Sequence, residues 1–138
     1  MIIDSHCHLH DEKYTSDLAE VLTRAKQASI SQLITIGCDL KTTQDAAQIA
    51  RHNPEVFFTA GYHPHDAKQM NDADFMALKT LAQEKKCVAI GECGLDYYYL
   101  HSSIDEQKMA FTKQIELALE LGLPLVIHLR DAFDDCVA

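Results

Sequence analysis

The sequence contains no tryptophan, three prolines and five glycines in 138 residues, which excludes the proline- and glycine-rich compositions of linkers and collagen-like chains. It has no run approaching the ~20 apolar residues a helix needs to cross a bilayer. Its first residues, MIID, lack the basic segment and apolar stretch of a secretory leader, so no membrane association is expected. The five cysteines are odd in number and include no C-x-x-C pair. They make no disulfide framework, and a reducing cytoplasm is the compartment that fits. Basic residues are scarce as well, 12 Lys and Arg against 21 Asp and Glu, for a formal charge of −9. That excludes the broad basic surface by which proteins usually hold nucleic acid. An anionic partner would need bound cations to reverse the local field.

What is present is ordinary for a folded chain, with 47% hydrophobic and 24% charged residues. A domain of this size buries roughly 70% of the surface its unfolded chain exposes, so one domain over residues 1–138 is expected. Short β-branched apolar runs alternate with stretches of helical period, the pattern of βαβ units in a parallel sheet. The runs predict strands at 2–4, 32–36, 56–60, 87–91 and 125–128. Between them, Leu18, Val21, Leu22 and Ala25 follow a cap at Thr15 or Ser16, and 42–52 carries Ala46, Ala47, Ile49 and Ala50. Phe75, Leu78 and Leu81 follow Asn71 and Asp72, and 104–121 carries Phe111, Ile115 and Ala118 before stopping at Gly122. A further helix is expected to begin at Asp131. Eight such units make a TIM barrel of about 250 residues. This α/β chain holds about five of them, a partial (β/α)8 barrel.

Functional residues of such a barrel come from the C-terminal ends of its strands. His6, His8 and His10 follow the first expected strand, His63 and His65 the third, and His128 ends the fifth, whereas His52 and His101 fall elsewhere. Glu92 and Asp96 follow the fourth, in GECGLDY. Alternate side chains of an extended strand share a face, so His6 and His8 can reach one ion while Cys7 and Cys93 point away. A lone H-x-H is a weak signal. Its convergence with Glu92 and His128 from separate strands is what points to a metal site. Imidazoles with a carboxylate suit zinc, manganese, iron or cobalt, and a carboxylate able to bridge suits a metal pair.

The remaining polar residues carry alternatives. His63 in GYHPH orients a substrate phosphate or merely ends a strand, and His65 has the weaker case for a role. Arg130, two residues after His128, clamps a phosphate or pairs with Asp131 or Asp134. Asp96 partners a ligand or caps a loop, and Asp4 either orients a ligand histidine or does not. Gln107, Phe111 and Gln114 share one helix face, for which packing on the barrel is the plain explanation.

The motifs DSHCHL, GYHPH, AIGECGLDYY and LPLVIHLRDA, in this order, resemble the TatD family of metal-dependent deoxyribonucleases, which are TIM-barrel metallohydrolases. The resemblance runs through essentially the whole chain. It implies that His6 and His8 bind one divalent metal, that Glu92 bridges two and that His128 binds the second, with His63 and Arg130 near the scissile phosphate. The metals implied are magnesium, manganese or zinc. The substrate implied is DNA, cut at phosphodiester bonds and often from a 3′ end by two-metal activation of water. Family members carry a further histidine ligand after strand six and an aspartate after strand eight, and neither strand falls within these 138 residues.

A barrel cut after its fifth strand leaves the first and fifth with unpaired edges. The chain is therefore expected to self-associate, to swap elements between copies, or to be a fragment of a longer protein. Two other readings stay open at this point. One is a hydrolase of carbon–nitrogen or ester bonds, because a fold does not fix its substrate. The other is a catalytically incomplete chain that serves as a metal-binding or interaction module. GECGLDY and the spacing of His128 and Arg130 favour phosphodiester chemistry over the first.

Overall fold

The structure, a computed structural model, describes residues 2–138. Five strands, β1 (Ile2–Cys7), β2 (Ile30–Thr35), β3 (Val56–Ala60), β4 (Cys87–Asp96) and β5 (Leu125–Arg130), pair in parallel in the order of the chain. Parallel neighbours need a crossover connection, supplied here by α1 (Leu18–Gln27), α2 (Leu40–His52), α3 (Asp72–Ala82) and α4 (Ile104–Leu121). A short α5 (Phe133–Val137) follows β5. The sheet curls into a half-barrel with the helices on its outer side.

Capping fixes the helix starts. Asp39 and Thr42 form a reciprocal capping box at α2, Asn71 accepts the Asp74 N–H at α3, and Ser103 with Glu106 forms a second box at α4. Gly122 ends α4 with a left-handed φ of 66°, a conformation that costs glycine nothing. The start of α1 differs from expectation, since its cap position is Asp17 rather than Thr15 or Ser16 and carries no side-chain cap bond. The last helix begins at Phe133 rather than Asp131, because Asp131 adopts a φ of 53° that no helix accommodates.

Three strands run further than their apolar runs suggest, so His6, Glu92 and Arg130 lie inside strands rather than after them. Two bulges lie in these extensions. Asp4 faces Leu33 and Cys7 faces Thr35, three steps on β1 against two on β2. Ile90 faces Leu125 and Cys93 faces Ile127, again three steps against two, which places Glu92 in the irregular stretch of β4. Extra residues of this kind re-aim side chains near functional sites. Gly91 adopts a φ of 139°, and a Cβ there would collide with the Val126 carbonyl oxygen.

The core lies between the sheet and the helices, with Phe58, Ile90 and Val56 of the central strands fully buried against Leu78, Ala46, Ala47 and Ala50. Edges fare differently. Ile2 and Ile3 on β1 are 54% and 50% exposed, and Ile127 on β5 is 48% exposed. A hollow of about 420 Å³ opens on the inner face, lined by Ser5, Ile34, Thr59, Ala89 and Val126.

Candidate metal centre

Strands β1, β4 and β5, with the segment after β3, deliver histidines and carboxylates to the C-terminal end of the sheet. Glu92 sits at the centre. Its Oε2 lies 3.5 Å from His6 Nε2 and its Oε1 lies 3.4 Å from His128 Nδ1. Its main chain is tied across the sheet, where its N–H donates to the Gly37 carbonyl at 2.8 Å. The His8 ring stands edge-on to His6 with centroids 5.3 Å apart. Donor atoms of His6, His8 and Glu92 lie within 4.8 Å of one another, as do those of His63, Glu92 and His128 and those of His65, Asp96 and His128. The geometry thus brings together His6, His8, Glu92 and His128, the four residues expected to ligate metal.

Asp96 is buried beside them and uses both oxygens. Oδ2 accepts from His65 Nε2 at 2.8 Å and from His128 Nε2 at 3.0 Å. Oδ1 accepts the N–H groups of Tyr98 and Tyr99, each at 3.0 Å. Burial works against its charge, but the bonds from Tyr99, His65, His128 and Tyr98 prevail and hold the carboxyl well below the usual carboxylate range. An ionised carboxylate only accepts, so His65 and His128 must each turn an Nε2–H toward it. With its Nε2 turned to Asp96, His128 presents Nδ1 to a carboxylate oxygen of Glu92 across 3.4 Å. The imidazole nitrogen and carboxylate oxygen set face to face, beside His6 and His8, are donor types that a metal ion takes together. The donor set therefore fits a divalent metal, with Asp96 as the outer partner that aims the imidazole.

His63 differs in kind. Its Nδ1 accepts the His65 N–H at 3.2 Å, and burial, followed by the neighbouring His128 and His65, pushes its pKa down to about 3. At neutral pH it is an uncharged ring whose proton sits on Nε2, a hydrogen-bond donor rather than a lone pair for a metal.

Other expectations resolve individually. Asp96 is both partner and loop cap. Asp4 bonds to no ring among the described residues; its carboxylate accepts the main-chain N–H of His6 at 3.2 Å and so braces the bulge. Among the described residues Arg130 pairs with no carboxylate, and its guanidinium lies over the rings of Tyr98 at 4.0 Å and Tyr99 at 4.8 Å. His101 is not remote, since its ring packs 4.6 Å from His65. His10 packs edge-on to His8 but belongs to none of the donor groups. Cys7 turns its thiol to the Ile34 carbonyl, and Cys93 is buried.

The helix face assigned to packing does more. Gln107 and Gln114 are fully buried. Gln114 accepts the Tyr62 N–H at 2.7 Å and donates to the Tyr62 carbonyl at 3.1 Å, while Gln107 does the same for Asp96 at 2.8 and 3.0 Å. The signal available in the sequence was the pair of amides seven residues apart on an otherwise apolar helix face, since a buried amide must find partners.

A parallel (β/α)-barrel architecture with imidazoles and carboxylates gathered at the C-terminal ends of its strands defines a metallohydrolase-type barrel. The family model described as TatD related DNase matches residues 3–138, and the chain belongs to that family. It is 41% identical over 137 residues, 99% of this chain and 54% of the relative, to an uncharacterized metal-dependent hydrolase, YabD, of Bacillus subtilis. It is 40% identical over 131 residues, 95% of this chain and 50% of the relative, to the 3′-5′ ssDNA/RNA exonuclease TatD of Cronobacter sakazakii. Among solved structures, a TatD family hydrolase of Entamoeba histolytica superposes with a TM-score of 0.92 at 26% identity, covering 99% of this chain and 52% of that one. A TatD homologue of Escherichia coli, YJJV, gives 0.90 at 26% identity, covering 98% and 53%. The chain spans about half the length of the curated relatives it matches, and its fold is accordingly that of about five units of a TIM barrel.

Proposed function

We propose that the chain carries part of the active site of a metal-dependent nuclease that hydrolyses phosphodiester bonds in DNA, working from the 3′ end. The observation that supports this most is the split carboxylate of Glu92, one oxygen toward His6 and the other toward His128. In this reading His6 and His8 hold one divalent ion, His128 holds a second, and Glu92 reaches both. Magnesium, manganese and zinc are the candidates. Bound metals would supply a Lewis acid for the phosphoryl oxygens and a water of lowered pKa. The chain's own residues do the rest. His63, neutral and protonated on Nε2, donates a hydrogen bond to a phosphate oxygen. Arg130, free of carboxylate partners among the described residues, offers a charged fork to the same group. Asp96 keeps His128 turned toward Glu92.

The nuclease named among the relatives favours this chemistry over carbon–nitrogen or ester hydrolysis. No helix of the described residues is long and apolar enough to cross a membrane, and the five free thiols favour a reducing, cytoplasmic setting. The exposed isoleucines at both sheet edges support self-association of this chain, to be checked by light scattering at micromolar concentration, where a folded monodisperse monomer would refute it.

The direct test is an end-labelled DNA strand incubated with the chain and manganese or magnesium, beside Glu92→Ala. Metal-dependent shortening from the 3′ end that the variant loses would mean that these residues build a working site, and no cleavage by either protein would mean that the half-barrel carries an incomplete one. Cleavage that survives Glu92→Ala would overturn the assignment.

A further inference from the structure

The segment after β4 presents three aromatic rings to solvent beside the metal centre. Tyr98 and Tyr99 are 58% and 50% exposed, and they lie side by side as one aromatic patch. Their rings meet edge-on at 4.8 Å, and the His101 ring lies near-parallel to Tyr99, 13° apart in plane at 5.6 Å between centroids. Arg130 lies over both tyrosines. The segment is held firmly. Asp96 binds the Tyr98 and Tyr99 amides with the oxygen it does not give to the histidines, and Ser102 accepts the Lys68 N–H at 3.1 Å and donates to the His65 carbonyl at 2.9 Å. The aromatic cluster is therefore fixed in place relative to His128 and His65.

From this placement we propose that Tyr98, Tyr99 and Arg130 form a stacking platform for an unpaired base of a nucleic acid strand whose phosphate lies at the metal centre. The proposal rests on the nuclease reading and deepens it. Aromatic faces hold single-stranded bases without regard to sequence, because every base has a π-face, and an arginine over the rings adds attraction for both base and phosphate. A paired base hides its faces within the duplex stack, so the platform selects single strands. Charge argues the same way. A chain of net charge −9 gains little from long-range attraction to a polyanion, so contacts with the bases must carry a large share of substrate affinity.

The test uses two fluorescein-labelled oligomers of equal length and charge, one of thymidines and one abasic, both phosphorothioate-linked to resist cleavage, titrated with the chain and manganese. Binding is read by anisotropy and by quenching of tyrosine emission, which no tryptophan obscures in this sequence. The thymidine oligomer is expected to bind about 10-fold more tightly than the abasic one. Tyr98→Ala with Tyr99→Ala should erase that preference, while the paired Phe substitutions should keep it. Both tyrosines are exposed, so circular dichroism of the variants should match the parent. Equal binding of the two oligomers by the parent, or a preference that survives the alanine pair, would overturn the platform and leave the nuclease reading intact. Binding of neither oligomer would sink both.

Discussion

The side-chain amide of Gln107 pairs with both backbone groups of Asp96, accepting its N–H at 2.8 Å and donating to its carbonyl at 3.0 Å. A helix side chain thereby completes the hydrogen bonding of a strand end, and it does so at the residue that orients the histidines. Gln107→Leu keeps the approximate volume but leaves these buried groups unpaired. It should lower stability by about 2–4 kcal/mol, read from the urea midpoint. A loss below about 0.5 kcal/mol would show that water or a shifted backbone satisfies the groups as well.

Asp96→Asn tests orientation without removing the loop cap, because the amide oxygen still accepts from Tyr98 and Tyr99. What it loses is the anion that fixes His65 and His128. Manganese affinity, measured calorimetrically, should fall by about 10- to 100-fold with the urea midpoint changed much less. Unchanged affinity would mean that His128 is aimed by packing alone.

Gly91→Ala should cost about 2 kcal/mol or more. The φ of 139° is unfavourable for any L side chain, and the new methyl meets the Val126 carbonyl oxygen. Thermal unfolding checks this, and an unchanged midpoint would contradict it. Gly61→Ala should behave alike, since its methyl would strike the backbone of Gly91.

Alkaline pH should destabilise the fold. Burial pushes the Cys38 thiol up to about 12, aided by the carboxylates of Glu92 and Asp39, and burial pushes Cys87 up to about 11. Unfolded thiols ionise near ~8.5, so above that pH the unfolded state binds fewer protons than the folded one and stability falls as pH rises. The contribution is complete below about pH 8.5 and is lost toward the folded values. Urea midpoints measured at pH 8, 9 and 10 should therefore decline in order, roughly in step with thiol ionisation. A flat series would refute the burial of these thiols.

The alternation of strand and helix was legible because period 2 and period 3.6 leave different marks on an apolar pattern, and Asn71 and Gly122 announce helix ends by their chemistry. Strand ends were less legible. The apolar run of β4 stops at Gly91, yet pairing continues to Asp96, because Cys93 and Leu95 stay buried while Glu92 turns to the centre. His6, His8, Glu92 and His128 stood out by type and position. The parts of the centre that escaped sequence reading are contacts between residues far apart in the chain. Nothing local tells that Gln107 will meet Asp96 or that Arg130 will lie over Tyr98.

Each strand of this sheet pairs with the one made just before it. A chain leaving the ribosome can therefore build the sheet one unit at a time, adding every new strand to an edge that already exists. At 5–20 residues per second, a unit of about 30 residues takes roughly 2 to 6 seconds. For that interval the newest edge stays bare, and at the β5 stage the bare residues include Ile127 and Leu129. Synthesis of this half-barrel thus carries its aggregation hazard forward with the growing end, and a pause in translation after any strand would prolong it.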